Sequence, residues 1–151
     1  MYEVLSDEMY EDMRVVVARM RMGHLCGYVG VPIYHPLFRK AYYNRIGAKL
    51  DKSQPIGDRG PISLLLMAID REERPRVEYL FDVHGSLTYS TERLVTGFAS
   101  TFTDYPVEAA NTWFFGFDCN HYEDTPFEWN FKRVREETIH LADQLIAFSR
   151  L

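Results

Sequence analysis

Residues 113–124 read WFFGFDCNHYED. Apolar and aromatic side chains, interrupted by Gly116, run directly into Asp118, Cys119, Asn120 and His121, with Glu123 and Asp124 close behind. Such a segment predicts a core strand over 112–118. Its polar end then leads either into a functional site or into an ordinary turn.

On the C-terminal side of this strand, Phe131, Val134, Thr138, Leu141, Leu145 and Phe148 recur at spacings of three and four. This is the stripe of an amphipathic helix of about five turns, with Asn130 as its N-cap. On the N-terminal side, VEYLFDV at 77–83 and LTYS at 87–90 read as strands around a turn at His84, Gly85 and Ser86. MRVVVARMRM at 13–22 is apolar on both faces, which suits a covered strand or a helix. LCGYVGV at 25–31 reads as a second strand, with Gly27 and Gly30 marking a bulge or a close approach. Pro32 and Pro36 end the regular structure. The first dozen residues are expected to form a short helix or a loosely held arm. A helix is expected over 61–71, opened by Pro61.

The implied fold is α+β: a mainly antiparallel sheet with a C-terminal amphipathic helix packed on one face, in a single domain covering 1–151. A chain of 151 residues is long enough for a core without disulfide staples. Cys26 and Cys119 are read as free, buried thiols.

A net charge of −5 argues against long nucleic acid as a partner. No apolar run is long enough to span a bilayer, and MYEVLSDEMYEDM lacks the basic start and apolar stretch of a signal peptide. A cytoplasmic location without membrane association is therefore expected. Residues 33–60 form a long excursion that carries Arg39, Lys40, Arg45, Lys49, Lys52 and Arg59, either a solvated face or a lid over a ligand.

Four of the five histidines, His24, His35, His84 and His121, fall at breaks or ends of expected strands. Loops at one end of a sheet converge in space, so these imidazoles are candidates for one shared pocket. Three chemistries fit such a pocket. A metal would draw on His84, Asp118, Cys119 and His121, but DCNH is not a strongly spaced ligand signature. A nucleophile would be Cys119 or Ser86, yet no GxSxG elbow is present and Cys119 has no cationic neighbour in sequence. Binding without chemistry needs only rings and scattered hydrogen-bonding groups, with glycines such as Gly27, Gly30 and Gly85 admitting a ligand closely. The third reading is preferred, with neither metal nor cofactor.

MGHLCGYVGVPIYHPLF at 22–38, DVHGSLTYS at 82–90 and WFFGFDCNHYED at 113–124 occur in that order ahead of the end helix. Together they resemble a family of small proteins encoded by bacteriophages and prophages, with blocks of the form MGxxxGYVxxPxxHP, HGxLTYS and WWFGFDCxHxxD. The likeness covers about two thirds of the chain, by the extent of such motif blocks. Phe114 stands where the family pattern has a second tryptophan. The resemblance implies a phage accessory protein acting inside a bacterium, by analogy one that withholds a nucleotide immune signal such as a cyclic oligonucleotide or an ADP-ribose derivative. It carries no assigned reaction.

The combined expectation is a homo-oligomer that sequesters a small nucleotide-like molecule. Tyr28, Tyr89 and Trp113 would supply rings. His35, His84, Ser86 and His121 would supply hydrogen bonds, Arg39 would reach phosphates, and Asp118 would orient a histidine or accept from a ribose hydroxyl. The alternatives are a phosphoester hydrolase centred on His84, Asp118 and His121, or an inhibitor that binds a host protein directly.

Overall fold

Glu3–Tyr10 (β1), Met13–Arg19 (β2) and Leu25–Pro32 (β3) form an antiparallel meander in the computed structural model, which describes residues 1–46, 76–96, 103–105 and 111–150. Short strands follow at Tyr89–Thr91 (β4), Leu94–Thr96 (β5) and Thr103–Tyr105 (β6), then Thr112–Asp118 (β7). The main sheet has the order β1-β2-β3-β7-β4 with every neighbouring pair antiparallel, and β5 pairs with β6 separately. The helix Phe131–Ser149 (α1) lies across one face of the sheet, against β2 and β3. This is the α+β architecture the apolar patterns imply.

The side-chain period of two sorts the core into two layers. Val15 and Val17 of β2, Val29 and Val31 of β3, and Phe115 and Phe117 of β7 point under α1 with Val134, Leu141 and Leu145. Val16, Ala18, Cys26, Tyr28 and Phe114 point the other way, where Leu94 of β5 covers part of the face. The double-sided burial of β2, β3 and β7 explains their near-continuous apolar runs.

Helix α1 starts where expected. Asn130 has extended backbone, and its side-chain oxygen accepts from the Arg133 N–H at 3.0 Å. Thr138, fully buried, turns its hydroxyl back onto the Val134 carbonyl at 2.6 Å. It fits against Gly27, where a Cβ would collide with Thr138 and with the Phe117 ring. Gly27 thus admits the helix, not a ligand. Neither Gly27 nor Gly30 marks a bulge, since pairing through both is continuous; the register shift falls in β1, between Val4 and Ser6.

Two further expectations are corrected. Residues 3–10 are an edge strand, not a helix or loose arm. Arg14 pairs with Asp7 at 2.6 Å and Arg19 with Glu3 at 2.9 Å, so cross-strand ion pairs hold it and put charge on the exposed edge. Residues 77–83 are not a strand. A short 3₁₀ turn at Val77–Tyr79 leads into irregular chain in which Val77, Leu80, Phe81 and Val83 are buried. The reason is visible in the hydrogen bonds. The Asp82 N–H donates to Gln144 Oε1 at 2.7 Å, and Gln144 Nε2 donates back to the Asp82 carbonyl at 2.8 Å. Two residues on, the His84 N–H donates to Glu137 Oε1 at 2.9 Å. Helix side chains thus take the place of a neighbouring strand.

The expected helix at 61–71, and Lys49, Lys52 and Arg59 of the basic excursion, lie outside the described residues. Among the described residues, no helix is long and apolar enough to cross a membrane.

Gln144 is 2% exposed, so its carboxamide has no water to fall back on. Replacing it by the similarly shaped Met leaves the two backbone groups of Asp82 without their side-chain partners. Gln144→Met is expected to lower unfolding free energy in urea by about 2–4 kcal/mol. A loss below about 0.5 kcal/mol would show that the clamp is dispensable.

Candidate functional site

The polar end of β7 borders a cavity of about 620 Å³ on the side of the sheet away from α1. Strand β3 contributes Cys26 and Tyr28, β7 contributes Asp118, and β4 contributes Tyr89. Met20 and His24 reach it from the β2–β3 turn, and Leu94 from β5. Thr88, Asn120 and His121 complete its polar end. No lysine or arginine lines it among the described residues.

Gly116 makes the floor possible. It sits opposite Tyr28 in the β3–β7 register, and a Cβ there would lie 2.5 Å from Tyr28 Cδ1. The missing side chain lets the Tyr28 ring lie down over β7. Tyr28 meets Tyr89 edge to face, with centroids 5.9 Å apart and planes at 74°. Burial, and then the neighbouring Cys26, push the Tyr28 phenol far above its ordinary pKa, so it remains neutral. Asp118 accepts from the Asn120 N–H at 3.0 Å, which folds the chain sharply after the strand, and from the Thr88 hydroxyl at 3.3 Å.

Beyond that turn the chain builds a second polar cluster. Asp124 Oδ2 accepts from His121 Nδ1 at 2.7 Å and from the His121 backbone N–H at 2.9 Å. The same carboxylate accepts from His84 Nε2 at 2.9 Å. The two imidazoles are 5.0 Å apart and nearly perpendicular. The His84 ring stacks on the Trp129 indole at 3.8 Å, and the Arg133 guanidinium lies 3.8 Å from the same indole. Gly85, with a φ of +68°, passes so close under His121 that any Cβ would strike its ring. Burial alone would raise the Asp124 pKa. The hydrogen bonds from His84 and from the backbone and ring of His121 outweigh it and bring the pKa down to about 2. Asp124 is therefore an anion at any ordinary pH.

The structure thus brings Tyr28, Tyr89, Asp118 and His121 to one cavity, with His84 directly behind His121. It does not bring the other sequence-predicted residues there. His35 is 3% exposed; its Nδ1 accepts from the Leu37 N–H at 3.0 Å and its Nε2 donates to the Leu145 carbonyl at 2.8 Å. Burial lowers its pKa, so it is a neutral core residue that ties the chain after β3 to α1. Trp113 packs on the helix side of the sheet and donates to the Lys40 carbonyl at 2.8 Å. Arg39 pairs with Glu92 at 3.8 Å, and Ser86, at a φ of +69°, donates to the Glu78 carbonyl in the 3₁₀ turn eight residues earlier. Parity along a strand explains Trp113, which is out of phase with Asp118. For the others, loop geometry decides.

Sequence reasoning gave no role to Asp124 or Asn120, while His24, one of the four histidines grouped as pocket candidates, does line the cavity. The spacing of His121 and Asp124 was the available signal, because two polar residues three apart meet when the chain turns. His24 Nδ1 is buried without a hydrogen-bond partner in the structure. A metal could be held by His84, His121 and Asp124, one donor atom of each lying within 4.8 Å of the others. Cys119, by contrast, packs in the layer under α1.

Neither cysteine is an activated nucleophile. Burial pushes each thiol up to about 12, reinforced for Cys119 by nearby Cys26, Asp124 and Asp118. Only about one thiol in ten thousand is then ionised at pH 8. Ellman's reagent at that pH is expected to label neither cysteine of the native protein within minutes and both after denaturation. Rapid labelling of the folded chain would contradict the burial argument.

No protein-family model, no curated protein and no solved structure matches the chain.

Proposed function

We propose that the protein binds and sequesters a small nucleoside-like ligand in the cavity between β3, β4, β7 and β5. The observation that carries this reading is the pairing of an aromatic corner, Tyr28 and Tyr89, with a polar end formed by Asp118, Asn120 and His121. About 620 Å³ suits a ligand of nucleotide size. Tyr89, 41% exposed, offers a ring on which a planar base can pack. Asp118 offers a carboxylate to ribose hydroxyls. The lack of Lys or Arg among the described lining residues makes base and sugar, not phosphate, the recognised parts of the ligand. Arg39, engaged with Glu92, has no supporting observation as a phosphate anchor.

In the setting implied by the phage resemblance, such binding in the cytoplasm of an infected bacterium would withhold a nucleotide-derived defence signal. A hydrolytic reading has one observation of its own. Asp124 holds His121 through Nδ1 at 2.7 Å, while Nε2 of the same ring lies 4.0 Å from Asp118 at the cavity wall. An imidazole oriented by one carboxylate, on a residue that lines a cavity, is the arrangement of a general acid or base.

Calorimetry with adenosine, ADP-ribose and a cyclic dinucleotide tests both readings, followed by heat denaturation and analysis of what is released. Sequestration predicts intact ligand at one per cavity and about tenfold weaker binding for Tyr89→Ala. Turnover that disappears in His121→Gln while binding persists would favour the hydrolase. Failure of all three probes to bind would remove the nucleoside reading.

A further inference from the structure

We infer that His84, His121 and Asp124 form a binding site for one divalent transition-metal ion, with two imidazole nitrogens and a carboxylate oxygen as ligands. Two separate pieces of chain supply the ligands, the turn held by Glu137 and the turn after β7, and Trp129 just before α1 stacks on one of them. The donor atoms already converge, His84 Nε2 at 2.9 Å and His121 Nδ1 at 2.7 Å from the Asp124 carboxylate. An ion about 2.0–2.2 Å from each donor needs them about 3.3 Å apart, so the cluster has to open by only about half an ångström.

The surroundings prepare these groups for an ion. The Asp124 side chain is 6% exposed, which separates it from ordinary surface carboxylates. Trp129 fixes the plane of His84, and the backbone of Gly85 limits where the His121 ring can lie. Around the two imidazoles stand Asp124, Asp118 and Glu137, an excess of negative charge that a cation relieves. Both rings at present donate to Asp124, because an ionised carboxylate only accepts. On binding, each neutral ring carries its proton on its other nitrogen and presents a lone pair to the ion. For His121 that other nitrogen is Nε2, 4.0 Å from Asp118, so a small rotation lets Asp118 accept the proton and hold the required tautomer.

Two imidazoles and one carboxylate suit zinc, iron(II), cobalt or nickel better than magnesium or calcium. Three protein ligands leave at least one coordination position for water or a ligand atom. All three ligands belong to the protein, so the site is complete without a cavity ligand.

The test uses the full chain, stripped with a chelator and titrated with zinc by calorimetry and with cobalt(II) by visible absorption. One ion per chain is expected, with a dissociation constant in the micromolar range or tighter. Both His84→Ala and Asp124→Asn should weaken binding by about 100-fold or more, with folding verified by circular dichroism. X-ray absorption on the zinc-loaded wild type should show nitrogen and oxygen donors, including two imidazoles. That measurement decides the matter even if a variant does not fold. Absence of stoichiometric binding, unchanged affinity in both folded variants, or a sulfur-dominated spectrum would each overturn the assignment.

Discussion

The Gln144 carboxamide, bonded to both backbone groups of Asp82, is the contact on which the arrangement of the site depends. It substitutes for the strand partner that residues 77–83 do not have. A helix normally meets a sheet through apolar side chains alone. Here α1 also uses Gln144 and Glu137 to hold an irregular segment along its flank. Buried hydrogen bonds of this kind contribute little net energy when made and cost much when broken. Their main effect is positional: they bring His84 to Asp124.

Two glycines and a threonine set the spacing of the layers. Gly27 and Thr138 let α1 approach the sheet, and Gly116 lets Tyr28 lie flat on the opposite face. The same three strands therefore support a dry core on one side and a ligand-sized cavity on the other. His121 belongs to both polar features, facing the cavity while bonded to Asp124 behind it. A ligand in the cavity and an ion at the histidine cluster would share that ring, which couples the two sites physically.

Much of the fold was legible in the chain itself. The near-continuous apolar run in residues 112–118 and the three-and-four spacing from Phe131 onward specify a covered strand and an amphipathic helix, and they occur as Thr112–Asp118 and Phe131–Ser149. The period of two also explains why Asp118 faces the cavity and Trp113 does not. The edge strand at Glu3–Tyr10 was harder to read, because its stability comes from ion pairs with β2, not from an apolar pattern of its own. The segment 77–83 looked like a strand for a simple reason: burial of Val77, Leu80, Phe81 and Val83 demands apolar residues whether or not the backbone is paired.

What the chain alone determined is which residues are apolar, in which periods, and that histidines gather at the breaks between them. Local sterics and hydrophobic burial act over a few residues, so these features survive without a structure. What only tertiary structure decided is which histidine goes where. His35 became a core residue with both nitrogens satisfied, while His84, His121 and Asp124 met in one cluster. Their meeting depends on contacts between residues 82–84 and 137–144, more than fifty positions apart. No local pattern encodes such a pairing; it follows from where α1 comes to rest on the sheet.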